Sequence, residues 1–195
     1  MAFVTPLTLA GEHVTLEPLD MSHAAGLSEA VLDGALWKLW YTSIPAPEGM
    51  KAEIERRLSL QAAGSMMPFA VRRNDSGALC GMTTYMHIDG VHKRVEIGST
   101  WYAQSAQRTP INTEAKLMLL THAFEQLQCI AVEFRTHWMN HQSRNAIARL
   151  GAKQDGVLRN HQRMPDGSFR DTVVFSIIES EWPTIKRHLL HKLGR

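Results

Sequence analysis

The chain has 195 residues, 44% of them hydrophobic, and a formal net charge of +2; this is most simply one domain, residues 1–195, with enough apolar material for a core. So small a net charge falls short of the clustered basic footprint that nucleic-acid binding needs, and it suits a polyanionic small molecule instead. No apolar run approaches the ~18 residues of a membrane span, so neither a nucleic acid nor a membrane is expected as a partner.

The cysteines and the N-terminal segment indicate the cellular setting. Cys80 and Cys129 are the only cysteines, and they form no C-x-x-C motif, which favours a reducing, cytoplasmic location. The segment MAFVTPLTLAGEHVTL has neither a basic start nor a long apolar stretch. It is therefore not expected to be a signal peptide.

Hydrophobic periodicity and turn signals predict the secondary structure. In chain order the predicted elements are strand 13–19, helix 23–32, helix 48–63, strands 68–72, 79–89 and 94–102, helix 111–127, strand 130–138, helix 141–150, strands 152–164 and 171–178, and a last helix. Asp20 or Ser22 can cap the first helix, and Ser180 is expected to cap the last, with Pro183 in its first turn. Gly81 marks a bulge or a close backbone approach. The order predicts an antiparallel meander, followed by a strand–helix–strand unit with a right-handed crossover.

The start of helix 111–127 has the features of an anion-binding site. Thr109 is expected to be the N-cap and Pro110 the first helical residue. The first amides of a helix lack partners and lie at the positive end of its dipole. The donors expected at this start are the amides of Ile111, Asn112 and Thr113, preceded by Gln107 and Arg108. The alternative is an ordinary capped helix, because the Walker and G-x-G-x-x-G motifs are absent.

The segment QRTPINTEA, Gln107 to Ala115, resembles the acetyl-coenzyme A loop of the GNAT N-acetyltransferases. That loop is usually written Q/R-x-x-G-x-G/A, and many members follow it with Thr-Glu-Ala. Pro110 and Asn112 occupy the two small positions of the motif, so one backbone donor is lost and a side chain is added near the phosphates.

Three further segments are similar to the RimJ/RimL branch of that family, which acetylates protein N-terminal amines and has many small-molecule relatives. They are Glu96-Ile97-Gly98, Asn140-x-x-Ser143 and Leu150-Gly151-Ala152. The resemblance covers about Gly11 to Trp182. It implies an α/β fold of GNAT type, with a central mixed, mostly antiparallel twisted sheet of about seven strands and helices on both faces.

The resemblance also implies acetyl-CoA as the acetyl donor, an amine as acceptor and no metal. Two adjacent parallel strands are expected to splay and admit the pantetheine arm. The residues expected to bind acetyl-CoA are Thr100, Trp101, Tyr102, Gln107, Arg108, Thr109, Ile111, Asn112, Thr113, Asn140 and Ser143.

Direct acetyl transfer needs a neutral amine, donors for the developing oxyanion and a proton for the leaving thiolate. Glu96 is the first candidate for the general base, acting through a water molecule. The alternative is a structural carboxylate paired with Arg94 or Arg135. His87 and His137 are rival bases, because neutral imidazole suits the operating pH.

Two residues that follow strand 130–138 are the other catalytic candidates. Ser143 is expected to protonate or contact the leaving sulfur, with Tyr102 as a second candidate; alternatively, Ser143 is a plain first-turn serine. Asn140 can hold a pantetheine amide, cap the helix that follows it, or do both.

An aromatic segment is expected to shape acceptor choice. Trp37, Trp40 and Tyr41 either cover the core or form an acceptor-binding wall, to which His87 is added as a substrate-binding residue. The resulting hypotheses are an acetyl-CoA-dependent N-acetyltransferase, acting on a protein N-terminus or a small-molecule amine, and a non-catalytic acetyl-CoA or CoA-binding protein of the same fold. A homodimer through the aromatic segment or the final hairpin is left open.

Overall fold

The computed structural model describes residues 3–195. Met1 and Ala2, which begin the segment not expected to be a signal peptide, lie outside the described residues. Within residues 3–195 no helix is both long and apolar enough to cross a lipid bilayer.

Strands and helices alternate much as the periodicity predicts. The strands are β1 (Leu9–Ala10), β2 (Val14–Pro18), β3 (Met66–Arg73), β4 (Leu79–Asp89), β5 (Arg94–Tyr102), β6 (Ala131–His137), β7 (Lys153–Arg163) and β8 (Phe169–Ile178). The α-helices are α1 (Ala24–Leu32), α2 (Met50–Ala62), α3 (Pro110–Thr121), α4 (His141–Ala148) and α5 (Trp182–Lys192).

Across the described residues, eight strands form one sheet in the order β1-β2-β3-β4-β5-β6-β8-β7. Every neighbouring pair is antiparallel except β5 and β6, which are parallel. The predicted mixed, mostly antiparallel sheet is confirmed. The strand missing from the prediction is β1, whose two residues are too short to show any periodicity.

Helices cover both faces of the sheet, as predicted. Adjacent residues of β4 point to opposite faces, and each is bonded to a different helix: Thr83 to Lys116 of α3, and Thr84 to Arg57 of α2. The α1/α2 pair therefore lies on one face, called the α2 face below, and α3 lies on the other with α5 packed beside it. A continuous hydrophobic core fills the space between the sheet and its helices.

Element ends differ from the prediction at two helices. Helix α3 stops at Thr121 and continues as a π-helical turn, His122–Gln126. The expected cap at Ser180 is wrong, because Glu179–Glu181 form a 3-10 turn and α5 begins after it, with Pro183 in the first turn as predicted. At the first helical segment Asp20 is the cap, since its carboxylate accepts the Ser22 amide at 2.7 Å.

Glu114, the acidic residue of the Thr-Glu-Ala sequence, ties α3 to the sheet. Its carboxylate is fully buried and accepts the backbone amides of Glu12, His13 and Val14 at 3.0, 2.6 and 3.1 Å. Although burial opposes ionisation, these bonds and the Arg195 guanidinium hold the pKa of Glu114 below its usual value. This residue therefore fixes where α3 begins relative to β2.

The predicted close approach at Gly81 is confirmed. A Cβ atom built there would lie 2.1 Å from the carbonyl oxygen of Trp101 on the neighbouring strand. Only glycine lets β4 and β5 pair at this point.

We expect Gly81→Ala to destabilise the fold by about 2 kcal/mol or more, because the new methyl group meets backbone that cannot move aside. Gly156→Ala is the matched control, since it lies at a register shift of β7 and has nothing within 4 Å of the added Cβ. Urea unfolding of both variants measures the difference. Equal stability would contradict the packing argument.

Candidate active site

The central feature of the candidate site is a wedge between β5 and β6. The two strands pair only at Arg94–Ala131, Val95–Val132 and Glu96–Glu133. Beyond Glu96 both strands continue without pairing with each other, to Tyr102 and His137. The predicted splay of two parallel strands is therefore present, and it opens directly after Glu96.

A bulge in β5 shapes one arm of the wedge. The register against β4 shifts between Gly98 and Trp101, and Ser99 takes a left-handed backbone conformation with φ 46°. A bulge re-aims the residues that follow it. Here these are Thr100, Trp101 and Tyr102, the three residues expected to line the wedge.

Two buried basic side chains, Arg57 and Lys116, hold this bulge from opposite faces of the sheet. On the α2 face, both Nη atoms of Arg57 donate to the Ser99 carbonyl at 3.2 Å, and its Nε donates to Glu53 at 2.7 Å. On the other face, Lys116 Nζ donates to Thr83 and Thr100 at 3.1 Å each. The sequence analysis missed both residues; the available signal was a lysine within the apolar face of helix 111–127.

The start of α3 lies at the open end of the wedge. Thr109 is the N-cap and Pro110 the first helical residue, as predicted. The Ile111 amide donates to Thr109 Oγ1 at 3.4 Å, and in a regular helix the Thr113 amide bonds to the N-cap carbonyl. Asn112 therefore carries the helix-start amide that is most open to a ligand.

Gln107 and Arg108, in the loop before α3, have different roles. Gln107 donates to the Tyr102 carbonyl at 2.9 Å and accepts from Gln142 at 2.8 Å, so its side chain braces the loop against β5 and α4. Arg108 is exposed and takes a left-handed conformation with φ 60°. Its guanidinium is therefore an exposed donor next to the helix start.

Asn140 and Ser143 lie at the end of the other arm of the wedge. Asn140 Oδ1 accepts the Ser143 amide at 3.0 Å, so the expected helix cap at Asn140 is confirmed. Both side chains are half-buried at the start of α4. The cap uses only the oxygen of the Asn140 amide group, so the nitrogen keeps its donors.

Two aromatic residues of β5 carry unsatisfied donors. Trp101 Nε1 and the Tyr102 hydroxyl are buried and have no hydrogen-bond partner among residues 3–195. Burial raises the pKa of Tyr102 well above its usual value, so the phenol stays protonated. Buried donors without partners are unusual in folded proteins, and their position beside the wedge fits an acceptor supplied by a ligand.

Glu96 lies at the apex of the wedge on the α2 face. Its carboxylate is 5% exposed, 2.8 Å from His87 Nδ1 and 3.5 Å from Arg135 Nε. Of the two pairings expected in the alternative role of Glu96, the one with Arg135 is present, whereas Arg94 pairs with Glu133. A cavity of about 120 Å³ opens beside Glu96 and His87.

His137 is positioned differently from His87. Its Nδ1 accepts the Met139 amide at 3.0 Å, so the neutral ring carries its proton on Nε2. Burial, reinforced by the charge of Arg170, lowers the pKa of His137. With one nitrogen accepting and the other protonated, this imidazole has no free lone pair for use as a base.

The aromatic segment divides into two parts. Trp40 and Tyr41 lie over His137, with ring centroids 5.3 and 6.4 Å from the imidazole. Trp37 packs against the hydrophobic core. The wall beside the wedge therefore consists of Trp40 and Tyr41, while Trp37 has the core-covering position that the sequence analysis offered as the alternative.

The buried Lys116 predicts a pH-dependent stability. Burial lowers the pKa of Lys116 from 10.5 to about 7, whereas the unfolded chain keeps that proton to about pH 10.4. Between these values the unfolded state binds more protons, so the free energy of unfolding rises with pH, by at most about 5 kcal/mol from this residue.

We expect Lys116→Met to be more stable than the wild type near pH 7 and to lose this rise. Urea unfolding between pH 7 and 9.5 measures it, with Lys51→Met, an exposed lysine of α2, as the control that keeps the wild-type slope. A slope unchanged in Lys116→Met would show that Lys116 is not the group responsible.

Comparison with known proteins identifies the family. The sequence pattern of the acetyltransferase (GNAT) domain matches residues 13–153. The chain therefore belongs to the GNAT acetyltransferase family, and its mixed sheet with five flanking α-helices in the described residues is the GNAT fold.

Individual relatives place the chain near the RimJ/RimL branch. YdaF of Bacillus subtilis (strain 168), named as a candidate ribosomal N-acetyltransferase, is 33% identical over 106 residues, 54% of this chain and 57% of YdaF. The chain thus matches little more than half of that relative's length. A candidate acetyltransferase from T. thermophilus is 32% identical, with a TM-score of 0.85 over 97% of this chain and 98% of that one. RimJ of Mycobacterium smegmatis, solved with CoA-disulfide, is 26% identical, with a TM-score of 0.76 over 93% and 90%.

Proposed function

We propose that this protein is an acetyl-CoA-dependent N-acetyltransferase that transfers the acetyl group directly to a primary amine, either a protein N-terminus or a small molecule. One observation carries the proposal: the wedge between β5 and β6 has a helix start at its open end and a buried carboxylate at its apex. The unpaired Cys80 and Cys129 fit the reducing, cytoplasmic setting in which we place the activity.

The residues beside the wedge suit the chemical parts of acetyl-CoA. The helix-start amide of Asn112 and the Arg108 guanidinium are donors for the phosphates. The splay leaves one edge of β5 without a strand partner, so those amides of Thr100 to Tyr102 that point away from β4 are available to the pantetheine arm and the acetyl carbonyl. The Asn140 side-chain nitrogen is a further donor at the opposite arm. Bound acetyl-CoA would supply the thioester from which the acetyl group is taken.

The apex of the wedge supplies the base. Glu96 or His87 accepts the proton that the amine loses as its nitrogen forms the new C–N bond. If His87 Nδ1–H donates to Glu96, the exposed Nε2 is the proton acceptor and Glu96 orients the ring, as carboxylates commonly orient catalytic imidazoles. The short His87–Glu96 contact makes the two residues act as one unit.

The arms of the wedge carry the groups that stabilise the developing oxyanion and protonate the leaving thiolate. Backbone amides after the Ser99 bulge face the carbonyl oxygen as it gains negative charge. When the C–S bond breaks, Ser143 or Tyr102 returns a proton to the thiolate. No covalent enzyme intermediate is needed, so the chain requires no activated nucleophile.

A non-catalytic acetyl-CoA-binding protein is the second candidate. The observation that favours it is that the Glu96 carboxylate is engaged by both Arg135 and His87, as a structural carboxylate would be. Pro110, which removes a backbone donor, does not distinguish the two candidates, since the helix start is intact.

We expect calorimetric titration to detect acetyl-CoA binding to the wild type at micromolar concentrations, and at least tenfold weaker binding to Asn112→Asp/Thr113→Glu. Two negative charges at the helix start repel the phosphates, although they favour the helix dipole and so should not unfold α3. Gln126→Glu/Gln154→Glu adds the same charge at exposed positions remote from α3's start and should bind like the wild type. No binding to the wild type at millimolar acetyl-CoA would refute the proposal.

We expect Glu96→Gln to lower kcat for amine acetylation by about 100-fold or more, and to remove the rise of kcat/KM with pH that reports the base. Glu133→Gln is the control and should keep kcat near the wild-type value. Glu133 pairs opposite Glu96 on β6 and is bonded to Arg94 and Arg135. His87→Asn separates the two bases: a loss as large as that of Glu96→Gln assigns proton acceptance to His87. Wild-type binding of acetyl-CoA without turnover of any amine would support the non-catalytic candidate.

A further inference from the structure

Two side chains on the α2 face, those of His137 and Arg170, are without the acceptor or the carboxylate that would usually partner them. His137 is 5% exposed, and its Nε2, which carries the proton because Nδ1 accepts from Met139, has no partner in the described chain. Trp40 and Tyr41 cover the ring, but aromatic faces satisfy an N–H only weakly. Arg170, half-buried next to it, has no carboxylate within 4.0 Å among residues 3–195, unlike Arg94 and Arg135.

Strand register places these two donors on the same face as Glu96. Glu96 pairs with Glu133 of β6, and His137 lies four residues further along that strand, so both face one way. His137 pairs with Thr172 of β8 and therefore faces the same way. Arg170 precedes Thr172 by two residues on β8, so its side chain lies on that face as well. The Arg170 Nε donates to Thr172 Oγ1 at 3.0 Å, which directs the guanidinium back along the face toward His137.

The ion pairs on this face leave Arg170 without a carboxylate partner. Glu96 is engaged by His87 and Arg135, and Glu133 by Arg94 and Arg135. The next carboxylate along β8, Asp171, accepts the Asn160 amide at 2.7 Å and pairs with Arg159. Glu96 and Glu133 are therefore both paired, and neither lies within 4.0 Å of the Arg170 guanidinium.

Arg170 and Glu96 are near enough to influence each other. Burial lowers the pKa of Arg170, and the charge of Glu96 opposes that shift. Because strand register places both groups on one face of the sheet, an acceptor that binds one of them lies on the face that carries the other.

We propose that the amine acceptor carries a carboxylate close to its amino group, and that Arg170 together with the Nε2–H of His137 binds this carboxylate while the amine faces Glu96. The inference rests on the proposed function and narrows its acceptor class to acidic amines. Guanidinium matches a carboxylate with two parallel hydrogen bonds, and the imidazole adds a third donor. Trp40 and Tyr41 then form the wall over the acceptor.

The test uses pairs of acceptors that differ only in the negative charge. One pair is glutamate and its diamide, representing free amino acids; the other is a tripeptide amide beginning with Asp and its Asn counterpart, representing protein N-termini. We expect the wild type to acetylate the acidic member of at least one pair about tenfold better in kcat/KM. Which pair shows the preference distinguishes the two sources of the carboxylate.

Arg170→Gln should remove that preference by raising KM for the acidic member at least tenfold, with little change for the neutral member. Arg163→Gln is the matched control, since Arg163 lies on the same hairpin, is exposed and stacks on Phe169 at 4.6 Å. Arg170→Lys keeps the positive charge but loses the two parallel donors of the guanidinium. Its KM for the acidic member should lie between those of Arg170→Gln and the control. A wild type without preference, or equal losses for both members in Arg170→Gln, overturns the proposal.

A binding measurement separates this inference from the proposed function. N-acetylglutamate and its diamide are titrated into the wild type, Arg170→Gln and Arg163→Gln, each first shown to unfold at wild-type urea concentrations. Tighter wild-type binding of the charged ligand that is lost only in Arg170→Gln supports the subsite even if no amine is turned over, in which case the proposed function alone fails. Equal affinity for both ligands refutes the subsite even if acetylation of neutral amines is observed.

Discussion

The site depends on the point at which β5 and β6 stop pairing. Three residue pairs join these parallel strands, and the last of them is Glu96 with Glu133. Beyond it the Ser99 bulge turns β5 away from β6, so the residues that follow have no partner on β6, although Trp101 and Tyr102 remain paired with β4. Everything assigned to the site is arranged around this opening: the carboxylate at the apex, the helix start of α3 at the open end, and Asn140 and Ser143 at the tip of β6. A sheet in which the two strands paired to their ends would have no room for a ligand.

Helix α3 keeps the opening in place through buried charge. Glu114 binds three backbone amides at the start of β2, and Lys116, two residues later, reaches the side chain of Thr100 beside the bulge. From the opposite face Arg57 holds the Ser99 carbonyl. Buried ionic groups are costly unless they are bonded, and here each is used to fix backbone that hydrophobic packing alone would not position. We infer that these residues stabilise the geometry of the site at the expense of overall stability, most clearly at Lys116, which has no carboxylate partner among the described residues.

Sequence reasoning predicted most of the fold and part of the site's contacts. The strand order of the meander, the cap at Thr109, the cap at Asn140 and the close approach at Gly81 each depend on interactions within a few residues or on a steric rule, so their signals are local. The errors also have local causes: β1 is too short to show a period, and Ser180 looked like a cap although the preceding residues had already begun a 3-10 turn. Gln107 was expected to bind acetyl-CoA. Its bonds to Tyr102 and to Gln142 of α4 join residues that are distant in sequence, so no local signal could have predicted them.

By itself the sequence determined the order of strands and helices and the position of the helix start, because alternation, helical periodicity and capping are properties of consecutive residues. The GNAT architecture was implied by the resemblance of Gln107 to Ala115 and the three further segments. The tertiary structure decided which charged groups meet. It paired Glu96 with His87 rather than Arg94, turned His137 into a donor by bonding its Nδ1 to Met139, and brought Arg170 from the final hairpin to the same face. These choices follow from strand register and splay, which depend on the packing of the whole sheet and leave no trace in residue spacing.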